Sequence, residues 1–179
     1  NSGTISSSKN GIKNDGTLTV ENGKIDGKSY GIYNTSNLII NNGEITSETT
    51  AIANNGTLTL NDGKVTGTNI GVFSTNGTIN GGIITGVKQE GVANNGRWGG
   101  TLYVNGGTIK SETKAGITSA GTLTVKGATI EGTTNGIELS GTANIVSGKV
   151  TGNNYGVYVN HGQAKVTIGE EGGEPSKEE

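Results

Sequence analysis

A motif of about 20 residues recurs along this chain and limits the possible folds more than any other feature. The stretch GTISSSKNGIKNDGTLTVEN begins at Gly3, and seven related stretches follow it. The eight copies begin at Gly3, Gly23, Gly43, Gly63, Gly82, Gly107, Ala128 and Gly148. The fourth copy is one residue short, and residues 97–100 lengthen the fifth to 25 residues.

Each copy contains three short alternations of apolar and polar residues, separated by Gly, Asn, Ser, Thr or Asp. This pattern is typical of half-buried strands joined by tight turns, and no segment has the spacing of a helix. Sandwiches and barrels rarely repeat their sequence so closely, whereas stacked coils do. We therefore predict an all-β, single-stranded parallel β-helix, or β-solenoid, with about eight coils of three strands each. We expect it to be right-handed, to span residues 1–169, and to be followed by a charged linker or tail at 170–179.

The inward positions follow from the alternation. In the first copy they are Ile5, Ile12, Leu18 and Val20, and equivalent aliphatic residues continue to Val166 and Ile168 in the last. Such a core is a narrow column in which like side chains stack from coil to coil. Nine Asn-Gly pairs also recur, and they predict corners at which a residue takes positive φ.

One polar position just after the second strand recurs in six successive copies, as Asn14, Asn34, Asn54, Ser74, Asn94 and Ser119. Turn propensity is one interpretation, because Asn tolerates left-handed backbone and bonds to its own chain. A stacked internal ladder of amides is the other, and we favour it because the position recurs where its neighbours do not. Leu139 and Val159 take this position in the last two copies, where we expect an apolar corner.

Composition disfavours several functional classes. The chain has no Cys and a single His, His161, so disulfides and thiolate or imidazole metal sites are not expected. The formal net charge is −2 and no stripe of basic residues is present, so we do not expect the chain to bind nucleic acid phosphates. No apolar run approaches the roughly 20 residues of a membrane span. We expect neither a cofactor nor a metal.

Aromatic residues supply the candidate contact sites. Tyr33, Phe73 and Tyr158 fall in one outward position of the second strand, and Tyr30 and Tyr155 lie just before it. Sugar rings and partner proteins both use exposed aromatics as anchors, although packing against an adjacent turn or a neighbouring molecule would also explain them. Arg97 and Trp98 in the insertion form a second candidate contact.

The third strand carries paired Thr residues, at Thr17 and Thr19, Thr57 and Thr59, and Thr122 and Thr124. Such an array resembles the face of ice-binding solenoids. The array is interrupted where other residues take the Thr positions, and we predict that these residues are Asn37, Ile39, Asn80, Tyr103 and Lys165. The β-propensity of Thr explains the pairs adequately.

The motifs GIYN at 31–34, GTLTV at 16–20 and 121–125, and NGGTI at 105–109 resemble the degenerate repeats of adhesin-like parallel β-helix regions in large surface proteins of gut Firmicutes. The resemblance extends in style to the pectate-lyase-like superfamily. It implies a secreted or Gram-positive wall-attached stalk or adhesin region with neighbouring domains in a longer chain. No lyase catalytic motif carries over to this sequence.

Three functional hypotheses follow, of which ice binding through the Thr pairs is the least favoured. The first is a non-enzymatic structural or adhesive module that binds a host glycan or a host protein. The second is a carbohydrate-active enzyme or its remnant, which needs either two carboxylates across a glycosidic bond or an acidic calcium cluster. The three Asp residues, at 15, 26 and 62, occupy non-matching positions of three copies, which disfavours the enzyme.

Overall fold

The computed structural model describes residues 3–95 and 100–169, and every regular element in these ranges is a β-strand. Strands of mostly four or five residues form because β-branched and Thr residues alternate between short Gly- and Asn-containing corners. The 22 strands are β1 Thr4–Ser7, β2 Asn10–Asn14, β3 Thr17–Val20, β4 Lys24–Gly27, β5 Tyr30–Asn34, β6 Asn37–Ile40, β7 Glu44–Ser47, β8 Thr50–Leu60, β9 Lys64–Gly67, β10 Ile70–Ile79, β11 Ile83–Gly86, β12 Val92–Asn94, β13 Thr101–Val104, β14 Thr108–Ser111, β15 Ile117–Ser119, β16 Thr122–Val125, β17 Ala128–Gly132, β18 Asn135–Leu139, β19 Thr142–Ile145, β20 Gly148–Gly152, β21 Tyr155–Val159 and β22 Lys165–Ile168.

All strand pairings in the described residues are parallel, and each strand pairs with its counterpart in the next coil. The first strands of the eight coils form one sheet in the order β1-β4-β7-β9-β11-β14-β17-β20. The second and third strands form two further columns, which β8 and β10 join because each continues through a corner. The chain is therefore a β-solenoid of eight coils with three strand columns, as the repeat predicts.

The register follows the repeat. Ile5 pairs with Ile25, and Ile32 pairs with Ile52, at the expected spacing of one coil. The insertion leaves this register intact, because β10 pairs with both β12 and β13 and the extra residues fall between those two strands. Arg97, Trp98 and the tail at 170–179 lie outside the described residues.

The inward aliphatic positions form one continuous core. Ile32, Ile45, Ile52 and most of their equivalents are fully buried. The terminal coils are covered on one side only, so Ile5 is 43% exposed and Ile168 is 73% exposed. Leu139 closes its corner apolarly as expected, whereas Val159 in the last coil remains 40% exposed.

The expectation that Asn-Gly pairs mark positive φ is correct at only two of the described pairs, those ending in Gly23 and Gly43. Every described residue with positive φ is a glycine, and Gly63, Gly82, Gly107, Gly127, Gly148 and Gly169 complete the set. The glycines of the other described pairs have ordinary φ, and several lie inside strands where a neighbouring backbone approaches closely. A Cβ at Gly11, for example, would lie 2.7 Å from the carbonyl oxygen of Gly31.

The structure also corrects the third-strand column. Asn76 and Thr78, not Asn80, stand beside Thr57 and Thr59, because the one-residue deletion of the fourth coil falls between Ser74 and Asn76. Asn80 lies at the following corner. Tyr103 pairs with Thr78 and Thr124 and is 47% exposed, so an aromatic ring projects from the middle of the Thr array.

Candidate binding face

The recurring polar position after the second strand forms a buried ladder inside the solenoid. Asn14 Nδ2 donates to Asn34 Oδ1 over 2.6 Å, Asn34 Nδ2 donates to Asn54 Oδ1 over 2.6 Å, and Asn54 Nδ2 donates to Ser74 Oγ over 3.0 Å. The same amides also act locally, since the Asn14 Oδ1 accepts from the Gly16 N–H. Both interpretations of this position are thus present, except that none of these Asn residues has positive φ.

The ladder breaks where the insertion enters. Ser74 Oγ donates to the carbonyl oxygen of Asn76. Asn94 Nδ2 donates onward to Ser119 Oγ over 3.0 Å, but Asn94 Oδ1 has no hydrogen-bond partner among the described residues, although Asn94 is only 2% exposed. A buried acceptor without a donor costs about 1–3 kcal/mol. This unsatisfied atom lies next to the candidate face described below.

A second Asn ladder, on the outside, was not predicted. Asn61 Nδ2 donates to Asn41 Oδ1, Asn80 Nδ2 to Asn61 Oδ1, and Asn105 Nδ2 to Asn80 Oδ1, at 2.8–2.9 Å. Asn41 Nδ2 donates a hydrogen bond to Glu21 Oε2, which extends the column by one coil. The recurrence of Asn directly after the third strand, at positions 41, 61, 80 and 105, is the sequence signal for it.

The outward side chains of the second strand form one column along the solenoid. The register stacks Lys13, Tyr33, Ala53, Phe73, Ala93, Thr118, Glu138 and Tyr158 in successive coils. Tyr30 and Tyr155 begin their own strands, two residues before the buried Ile32 and the partly buried Val157, and lie beside the column. We call this surface, with its hollows, the aromatic face.

Two tyrosine pairs stand near its ends. The Tyr30 and Tyr33 rings have centroids 5.4 Å apart at an angle of 35°. The Tyr155 and Tyr158 rings are also 5.4 Å apart, and they stack at 19°. Phe73 lies between the pairs, two coils from Tyr33 and four from Tyr158.

Small residues between the aromatic rings leave two hollows. One of about 200 Å³ lies above Ala53 and is lined by Tyr30, Tyr33, Thr50, Asn55 and Phe73. The other, of about 240 Å³, begins at Phe73 and continues past Ala93 and Thr118 to Glu138 and Asn160. Phe73 separates them, so the aromatic face is a broken groove with a ring at the junction.

Charge on the aromatic face is low and mostly paired. At the first coil Lys13 and Asp15 form an exposed ion pair. The hydrogen bond and charge of Asp15 raise the pKa of Lys13, while hydrogen bonds from Lys13 and Thr35 lower the pKa of Asp15. Farther along, Glu138 accepts a hydrogen bond from Asn160 Nδ2 over 2.7 Å. Among the described residues it is the one charged side chain in the lining of either hollow.

The described residues bring Tyr30, Tyr33 and Phe73 together around the first hollow and place Tyr155 and Tyr158 at the far end of the same face. The second candidate contact, Arg97 and Trp98, lies outside the described residues. In residues 3–95 and 100–169 no three His, Cys, Asp or Glu side chains are grouped so as to hold a metal. The same ranges contain no helix that is both long and apolar enough to cross a membrane.

Searches against protein-family models, curated proteins and solved structures returned no match to this chain.

Proposed function

We propose that this protein is a non-enzymatic structural or adhesive module whose aromatic face binds glycans. The observation that carries the proposal is the series of rings along one side of the solenoid: the Tyr30–Tyr33 pair, Phe73, and the Tyr155–Tyr158 pair. Aromatic faces combine a large apolar area with few rotatable bonds, and tyrosine adds a polar edge. These are the properties that stacking on a sugar ring requires.

The length of the face suits an extended ligand. Adjacent coils lie about 4.8 Å apart, so the six steps from Tyr33 to Tyr158 cover roughly 29 Å. Backbone ladders hold every ring on a strand, which reduces the conformational entropy lost when a ligand binds. An oligosaccharide of several residues laid along the axis would contact the rings in turn.

A host protein is the second candidate ligand, because tyrosine is enriched among interface anchors. Glycan binding is favoured by the hollows between the rings, which are of single-ring size and bordered by Asn, Thr and Ser side chains. The alternative that the rings only pack on neighbouring turns predicts no ligand at all.

The enzyme hypothesis needs a second catalytic group. Hydrolysis of a glycosidic bond uses two carboxyl groups on either side of the scissile bond. The described lining of the two hollows supplies one carboxyl group, that of Glu138, and the polar side chains near it are amides and hydroxyls. This composition supports binding in preference to turnover.

We also propose a secreted or cell-surface location in a Gram-positive bacterium, where the solenoid acts as a stalk between neighbouring domains of a longer protein. The resemblance of its repeats to adhesin-like β-helix regions supports this proposal. Surface labelling of intact cells that carry the gene tests it. Antibody access without lysis is expected, and access only after lysis would contradict the proposal.

A glycan array tests the binding proposal, with the wild-type chain compared to the double variant Tyr33→Ala, Phe73→Ala. The variant should lose binding at least tenfold, because it removes two of the stacking platforms. The matched control is Ile83→Ala, Tyr103→Ala, which removes two exposed side chains of 49% and 47% accessibility from other faces. Equal loss in both variants, or release of reducing or unsaturated sugars by the wild type, would contradict the proposal.

A further inference from the structure

We propose that the 240 Å³ hollow between Phe73 and Glu138 is a subsite for one uncharged sugar ring and that it discriminates against uronic acids. The inference rests on the proposed glycan-binding function, and it adds the location of a subsite and the chemical class of its ligand.

The size and walls of the hollow suit a single ring. Its volume is below the roughly 300–1,000 Å³ of pockets that hold drug-sized ligands. Phe73 provides an apolar platform at one end. Between Phe73 and Glu138 the base of the hollow is formed by the small side chains of Ala93 and Thr118. A sugar ring has an apolar side that can face Phe73 and hydroxyl groups that can reach the polar end.

The polar end is rich in acceptors. The carboxylate of Glu138 receives a hydrogen bond from Asn160 and has further lone pairs for ligand hydroxyls. Asn94 also lines the hollow, but its Oδ1 is buried and is not accessible to a ligand. Sugar hydroxyls can donate to the free lone pairs of the Glu138 carboxylate.

The charge of the hollow sets the class of sugar. Glu138 is the one charged residue among the described side chains that line it, and Lys114, four residues before Thr118, is not part of the lining. A uronic acid bound here would place a second carboxylate close to Glu138, and the two charges would repel. A neutral hexose carries no such group and keeps every hydroxyl available.

The experiment is calorimetric titration of the full chain with a neutral panel (cellohexaose, mannohexaose and xylohexaose) and with hexagalacturonate. We expect at least one neutral hexasaccharide to bind tenfold or more tightly than hexagalacturonate. Removing the charge in Glu138→Gln, which keeps an oxygen for Asn160, should improve hexagalacturonate binding about two- to fivefold. Glu138→Lys should improve it further and weaken the preference for the neutral sugar.

The matched control is Glu131→Lys, the same change at an exposed acid on the first-strand column. It should leave the neutral-to-acidic preference within about twofold of wild type, and circular dichroism should show the same β spectrum for all variants. Uronate binding as tight as neutral binding, or no effect of Glu138→Lys, would overturn the subsite while leaving the proposed function intact. Failure of every glycan on the array to bind would overturn the proposed function itself.

Discussion

At the residue scale, asparagine has two different roles in this molecule. The internal column at Asn14, Asn34 and Asn54 is buried, and its amides bond to each other and to backbone carbonyls. The external column, which includes Asn41 and Asn61, makes the same amide-to-amide bonds in contact with water. Water can replace a lost partner outside but not inside, so equal hydrogen-bond geometry should give unequal stabilisation.

Asn34→Ala and Asn61→Ala form a matched pair that tests this difference. Each removes one amide that donates to the neighbouring coil on one side and accepts from the neighbouring coil on the other. We expect Asn34→Ala to lower the free energy of unfolding by about 2–3 kcal/mol, because it leaves Asn54 Oδ1 and Asn14 Nδ2 short of partners. Asn61→Ala should change it by less than about 1 kcal/mol. Urea unfolding measures both, and equal losses would contradict the account.

At the element scale, the chain turns sharply from the first strand of a coil into the second, and glycine at the end of the first strand allows this tight corner. A Cβ at Gly67 would lie 1.8 Å from the carbonyl oxygen of Ile70, which is backbone and cannot move aside. Ser47 and Ser111 take this position in other coils, where their buried hydroxyls bond to the carbonyls of Ser29 and Gln89. The tight corner is therefore local to the glycine coils.

Gly67→Ala should lower the free energy of unfolding by about 3 kcal/mol or more, because the corner must open to accept the methyl group. Gly16→Ala is the control, since nothing lies within 4 Å of a Cβ built there and its φ is not positive. It should be neutral or stabilising by up to about 1 kcal/mol through the unfolded chain. Thermal unfolding compares the two, and a tolerated Gly67→Ala would show that the corner is looser than described.

At the scale of the whole molecule, eight coils at a spacing of about 4.8 Å give a rod roughly 34 Å long. The rod brings residues that are 20 apart in sequence into contact and residues 125 apart, such as Tyr33 and Tyr158, onto one face. The axis of the solenoid therefore determines which side chains can share a ligand.

The repeat period and the apolar alternation were sufficient to predict the coil count, the core positions and the aromatic column, because a parallel in-register stack makes sequence position and spatial position equivalent. They could not show where the third strand of the fourth coil ends: continuing the alternation past Ile79 put Asn80 in the outward column, whereas the strand ends at Ile79 and Asn80 lies at the corner. The hollows beside Phe73 depend on the heights of neighbouring side chains across coils. A one-dimensional pattern does not contain that information.

Spin-label distances test the stack most directly, and the absence of Cys makes labelling specific. One label replaces Lys24, and the second replaces Thr108, Thr129 or Lys149 in turn, all in the same outward position of the first strand. In a continuous solenoid we expect backbone separations of about 19, 24 and 29 Å, rising by one coil spacing at each step. Distances that fail to rise in equal steps, or that shorten at Lys149, would contradict a continuous solenoid and the face built on it.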